Sequence, residues 1–283
     1  MVRTLISLGR PLHHVYRAAS WSAANAFGLK DRGMIAPGRR ADIVLVGDLE
    51  RCSVKTVISA GRVVDEAMFA TRPKVKPVGL DSVKVRKITP ADFRIPGGAA
   101  ELSMIGVAPG RVVTDHVRKP VLVNGNERIA DPENDVAKVA VIERHGIDGS
   151  IGRAFVTGFG MKRGAIASSV GHDSHNICVV GMDDGDMAVA VNRLREIGGG
   201  FVVANAGSVA AELALPLAGL MSLEPFEAVH AGLMPLRQAA RDLGCTLPEP
   251  FLQVAFLPLP VIPHMKITNF GLFDVDRFEL VKE

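Results

Sequence analysis

The stretch Ile177-Cys-Val-Val-Gly-Met-Asp-Asp-Gly-Asp-Met-Ala-Val-Ala-Val-Asn-Arg-Leu-Arg-Glu-Ile-Gly-Gly-Gly-Phe-Val-Val203 decides how the larger part of this chain folds. It opens on a short apolar run, Ile177 to Val180, bounded by Gly181, which reads as a β-strand. Asp184 to Ile197 then switches to helical spacing, with Asp183 placed to cap the N-terminus and Gly198-Gly-Gly200 to end the helix. Phe201-Val-Val203 is apolar again. Strand, helix, strand predicts a parallel βαβ crossover.

Outward from this core, Asn205-Ala-Gly207 is a hairpin signal leading into a strand from Val209 to Leu215. Glu224 to Leu243 reads as a second long helix, bent by Pro235. Leu257-Pro-Leu-Pro-Val-Ile-Pro263 is apolar but cannot be a central strand, because three prolines remove ladder donors; a structured, buried loop is expected. Upstream, strands are expected at Arg111-Val-Val-Thr114 and from Val136 to Arg144. The C-terminal unit is therefore mixed α/β.

The beginning of the chain has a different character. Pro11 to Leu29 is Ala-rich with helical spacing, and Ser20 and Ser22 offer capping hydroxyls between two short helices. After a Pro37-Gly38 turn come Ala41-Asp-Ile-Val-Leu-Val46 and a hairpin, Lys55 to Ser59 with Arg62 to Val64 around Ala60-Gly61. Residues 34–66 thus form a small all-β unit. Thr71 to Lys87, with prolines and alternating lysines, has linker composition, and its basic run reads as solvated. The division expected is 1–33, 34–70, a linker at 71–87, and 88–283.

Composition excludes several classes. The 283 residues suit one large domain or two ordinary ones, and 48% hydrophobic with 5% aromatic content describes a globular core of Val, Ala, Leu and Ile. A net charge of +3 from 33 basic and 30 acidic residues is too balanced, and too scattered, for nucleic-acid binding by bulk electrostatics. Cys52, Cys178 and Cys245 are too widely spaced for a disulfide framework or a thiolate zinc site. With no secretory leader pattern and no apolar run of membrane-spanning length, a cytoplasmic, membrane-free protein is expected.

The densest polar cluster is Gly171-His-Asp-Ser-His-Asn176, directly before the apolar strand. Two imidazoles, a carboxylate, a hydroxyl and a carboxamide can supply a general base, its orienting partner and donors for the ring atoms of a heterocycle. The plainer reading is a capped loop whose histidines are satisfied polar groups. A second cluster is Glu143-Arg-His145, where the period of two puts Glu143 and His145 on one strand face that could join the first cluster; the plainer reading is a surface ion pair. Both are weak as metal sites: neither HxH nor HExxH occurs, and no metal ligand is expected in this chain. His13-His14 reads as exposed. The Gly158-Phe-Gly160 and Gly198-Gly-Gly200 glycines are turns rather than phosphate loops.

Ala18 to Asn25 followed by Leu29 to Val46 resembles the end of metal-dependent amidohydrolases, where the last barrel helix returns into a small β-sandwich. Val141-Ile-Glu-Arg-His145, Gly158 to Asn176, Asp186 to Leu194, Gly198 to Val203, Leu215 to Ser222 and Phe256 to Pro263 resemble, in that order, the C-terminal domain of adenine deaminases. One departure is Gly171, where alanine is more usual. The resemblance implies an α/β fold: a remnant of a β/α barrel end, part of a small β-sandwich, and a mixed α/β C-terminal domain. It also implies hydrolysis of adenine to hypoxanthine and ammonia in purine salvage, by water activated on manganese, iron or zinc. The metal-binding barrel motifs have no counterpart here, so no metal is expected on this chain alone. His172, Asp173 and His175 are the catalytic candidates, with Asp173 orienting one of the rings. Glu143, His145, Ser174 and Asn176 are the substrate-binding candidates, and both groups should converge on one polar cavity.

The partners implied are adenine and either a second copy or a separate barrel chain. Three readings remain open: a fragment or split part of an adenine deaminase, a non-catalytic purine- or partner-binding module, and a hydrolase of another cyclic amidine or amide.

Overall fold

The structure, a computed structural model, describes residues 1–70 and 75–282. Thr71 to Lys74, where the expected linker begins, lie outside the described residues. The chain divides into two compact units, Met1–Val75 and Lys76–Glu283.

The first unit opens with α1 (Val2–Ser7), α2 (Leu12–Arg17), a π-helical stretch (Ala18–Ser22) and α3 (Ala23–Ala26). The expected break between two capped helices is instead a run in which neither serine caps anything. Ser20 Oγ donates back to the Tyr16 carbonyl at 2.7 Å, the helix-loosening bond that hydroxyl side chains make four residues back, and it falls where the π turn lies. Beyond this run, β1 (Ile43–Asp48), β2 (Ser53–Ser59) and β3 (Arg62–Val63) form an antiparallel sheet, with Ala60 and Gly61 at positive φ in the β2–β3 turn. A short helix, α4 (Glu66–Ala70), follows.

In the second unit, β4 (Ile95–Pro96), β5 (Glu101–Gly106), β6 (Asp115–Pro120), β7 (Val123–Asn124) and β8 (Glu127–Arg128) precede the central strands β9 (Ala137–Ile142), β10 (Ile151–Thr157), β11 (Ala165–Ser168) and β12 (Ile177–Gly181). Helix α5 (Asp184–Ile197) leads to β13 (Gly200–Asn205) and β14 (Ser208–Ala214), then to α6 (Phe226–Asp242) and α7 (Pro250–Phe256). Strands β15 (Met265–Thr268), β16 (Gly271–Asp274) and β17 (Glu279–Leu280) close the chain. The main sheet has eight strands in the order β14-β13-β11-β12-β9-β10-β5-β6, antiparallel throughout except for β5 beside β10.

The βαβ reading of 177–203 holds with one modification. β12 and β13 are parallel and joined by α5, but β11 lies between them and is antiparallel to both. This is a split crossover. Asp183 Oδ1 caps α5 by accepting from Asp186 N at 2.9 Å, and Gly198 ends it at φ 76°.

β12 and most of β9 read as apolar runs because both faces of the sheet are covered. Val139, Val141, Cys178, Val180 and Val203 pack on α6 and α7 residues such as Leu236 and Val254. The alternate residues Ala140, Ile142, Ile177, Val179 and Val202 pack on Met187, Val191 and Leu194 of α5.

One further expectation fails and two hold in part. Arg111 to Thr114 is a loop, and the strand is β6 just after it; Thr114 is held by Oγ1 donating to Met265 O at 2.6 Å. Leu257 to Pro263 is buried only through Leu259, and Val261 is 65% exposed. The basic residues of the expected linker, Lys76, Lys84, Arg86 and Lys87, are exposed as a solvated run should be, but the segment is anchored: Val85 is buried, and Lys84 N donates to Arg144 O at 2.7 Å.

Candidate functional site

Strand register places the two polar clusters at one end of the sheet. Ile142, the last residue of β9, is paired with Ile177, the first of β12, and also with Ile151, the first of β10. The 143–150 loop therefore leaves the sheet where the 169–176 loop enters it. They meet directly: His145 Nε2 lies 2.8 Å from Ser174 O, and Arg144 N donates to Asn176 Oδ1 at 3.3 Å. Since a carbonyl only accepts, His145 carries its proton on Nε2.

The expected strand face bearing Glu143 and His145 does not form, because β9 ends at Ile142. The chain curls so that the Glu143 carboxylate accepts from the backbone N–H of His145, of Ile147 at 3.0 Å and of Gly149 at 3.2 Å. Burial pushes this carboxyl up, but the N–H groups outweigh it and hold it below the ordinary carboxylate range. Glu143 is 5% exposed and organises the loop around itself. It also lines a cavity of about 240 Å³ with Lys84, Arg86 and Ile147.

Asn176 is likewise buried, its Nδ2 donating to Asn269 Oδ1 at 3.3 Å while Asn269 Nδ2 donates to Ser150 Oγ at 2.7 Å. Its amide pegs the loop to the strand end. His145, His172, Asp173 and Ser174 are exposed, so holding these polar groups in the loop costs little desolvation. The expected pairing of Asp173 with a histidine is also absent: among the described residues its carboxylate makes no hydrogen bond to either ring. The reason is local, since Asp173 and His175 both stand in the left-handed region at φ 62° and 48°, and the loop leaves Asp173 in solvent.

His172 donates its backbone N–H to Ala255 O at 3.1 Å, and its ring stacks on Phe256 with centroids 4.3 Å apart. His175 is half-buried, and its Nδ1 is shielded from solvent with no hydrogen-bond partner among the described residues. Burial, then the Arg144 charge, then His172 and His145 hold this imidazole below its ordinary range, against an opposing contribution from the Gly171 carbonyl. The ring is therefore neutral near pH 7.

Sequence reasoning passed over Arg144, quoted only as the residue between Glu143 and His145. Its guanidinium is 1% exposed and reaches three separate segments. Nothing in the local sequence signals this, since an arginine at a strand end is ordinarily solvated.

Residues 6–64 match the amidohydrolase family. Residues 111–279 match the adenine deaminase C-terminal domain, and the chain belongs to that family. It is 64% identical over 282 residues to an adenine deaminase of Methylobacterium nodulans, and 60% identical over 281 residues to adenine deaminase 1 of Rhizobium meliloti. An adenine deaminase of Cereibacter sphaeroides is 57% identical over 281 residues. Each alignment covers 99% of this chain and 50% of the relative, so the chain spans about half the length of the curated relatives it matches.

Proposed function

We propose that this chain acts as the C-terminal half of an adenine deaminase, in the conversion of adenine and water to hypoxanthine and ammonia. The observation that carries the reading is the match of residues 111–279 to the adenine deaminase C-terminal domain, a span that holds both polar loops. In this reading His172 and His175 meet the purine. A neutral imidazole can take a proton from water and, as the imidazolium so formed, hand it to the departing amine; the depressed range of His175 supports the neutral form at the start. His145 and Ser174 sit beside them with solvent-exposed side chains available to ring nitrogens. Glu143 and Asn176 shape the loops rather than touch substrate.

The amidohydrolase family suggests a divalent metal, with manganese, iron or zinc as the candidates. The donor set of this chain does not fit one: among the described residues, no three His, Cys, Asp or Glu side chains gather where they could hold an ion. Among the described residues no helix is long and apolar enough to cross a membrane, and the partners proposed are adenine and the remaining half of the enzyme.

The test is hypoxanthine formation. The chain alone, given adenine with manganese, iron or zinc, is expected to release no ammonia. Combined with the other half of a relative such as that of Methylobacterium nodulans, it is expected to turn adenine over. Metal-dependent ammonia release by this chain alone contradicts the reading, as does an assembled pair that binds adenine without converting it.

A further inference from the structure

Arg144 heads the fully buried side chains by volume, and it is a cation. A guanidinium out of water ordinarily faces a carboxylate, because an unpaired buried charge is expensive. Here it does not. The neighbouring Glu143 carboxylate is taken up by backbone N–H groups, and the hydrogen bonds of the guanidinium go to uncharged oxygens. Nε donates to His175 O, Nη1 to Ser82 O at 3.2 Å and Ser82 Oγ at 3.4 Å, and Nη2 to Ala218 O at 3.0 Å.

The surroundings are shaped to this fork. Gly219 has φ 71°, and a Cβ there would lie 2.7 Å from Arg144 Nη1. Its peptide is fixed as well: Ser169 Oγ donates to Gly219 O at 2.6 Å and accepts from Gly200 N at 2.7 Å. One side chain thus ties residues 82, 175 and 218, which are far apart in sequence, at the end of the sheet where the two polar loops meet.

We propose that Arg144 is a positioning residue of the adenine site: by gripping the His175 carbonyl it holds the His172–Asn176 loop in its left-handed conformation and the His175 ring in place for substrate. The inference rests on the reading of that loop as part of the site. The geometry explains why a planar, five-donor group stands here, since a lysine would bring the charge without the fork. The charge has a second effect. Facing His175 are Arg144, His172, His145 and the Gly171 carbonyl; of these Arg144 is the permanent cation, so removing it lets the imidazole take up a proton more readily.

The experiment compares Arg144→Met and Arg144→Lys with the unaltered protein in two measurements. The first is the NMR titration of His175 and the amide shifts of residues 172–176 in this chain; the second is kcat and KM against pH in the assembled deaminase. In Arg144→Met the loop amides are expected to shift and His175 to titrate at higher pH. kcat should fall by about tenfold or more with KM for adenine changed by less than about threefold, the pattern of a misplaced group. The acidic limb of the pH profile should move up. Arg144→Lys keeps the charge without the fork, so the limb should stay while kcat remains low. A purely structural arginine would lower the amount of folded protein without moving the limb, and that result overturns the proposal. So does a His175 titration unchanged in Arg144→Met. If the loop and titration move but turnover does not, the loop is no part of the site, and the site reading fails while the local grip stands. Should Arg144→Met not fold, Gly219→Ala presses on Nη1 from the other side with the charge kept, so the loop amides should shift and kcat should fall while the limb stays, as in Arg144→Lys; unmoved amides and an unchanged kcat overturn the proposal.

Discussion

Glu143 and Arg144 are adjacent, both charged and both buried, and they reach opposite electrostatic solutions. Glu143 is satisfied within six residues by the backbone of its own loop; Arg144 is satisfied only by segments 31 to 74 residues away. The first was partly legible, since a polar cluster at a strand end could be read off the chain. The second was not, because burial of an arginine depends on contacts no local window contains. The same limit applies to Asp173, whose expected partnership with a histidine depends on a loop conformation that turns out left-handed at Asp173 and His175. A prediction follows for Glu143. Its folded-state carboxyl lies below the ordinary range, so its contribution is fully present above that range and is lost as pH falls through the folded value. Glu143→Gln should destabilise the chain at pH 7 by about 1–3 kcal/mol, the cost of leaving buried donors poorly met. Denaturant unfolding of both proteins at pH 7 and again near pH 3 should show the difference shrinking in acid; a gap independent of pH would contradict this.

At the scale of elements, sequence reading succeeded where packing and local preference agree. Helix α5 carries its own start and stop signals, and Asp183→Ala should cost about 1 kcal/mol through loss of the cap, measured as a lower unfolding midpoint. No change would mean that tertiary packing alone holds the first turn. The interior strands β9, β12 and β13 were legible because both faces are covered and their residues are apolar apart from Lys138 and Asn205; β5, β10 and β11, whose runs carry Glu101, Arg153 and Ser168, were not expected. β6 was missed for the complementary reason: Asp115-His-Val-Arg-Lys-Pro120 is an edge strand, half in solvent and charged as such edges are. The apolar Val112 and Val113 beside it drew the strand assignment instead. Gly152 in β10 links elements to the site, because a Cβ there would lie 2.0 Å from Thr268 O. Gly152→Ala should force the β15–β16 turn outward, costing about 1–3 kcal/mol by overpacking. It should also pull Asn269 from Asn176 and Ser150, seen as shifts of the 172–176 amides. Destabilisation without such shifts would separate that turn from the site.

On the scale of the whole molecule, the family match and the 50% coverage of each relative point the same way. In the first unit Leu8 is 68%, Phe27 83% and Ile35 80% exposed. We propose that the His172–Asn176 loop of the second unit supplies substrate-handling groups and not metal ligands. The direct measurement is turnover and bound metal, on the same preparations of assembled deaminase, for His172→Ala and His175→Ala. The account predicts that turnover falls by about a hundredfold, the scale of a lost acid–base group, with metal content unchanged. Loss of metal in either variant would make the histidines ligands, and unchanged turnover in both would leave the loop a structural one.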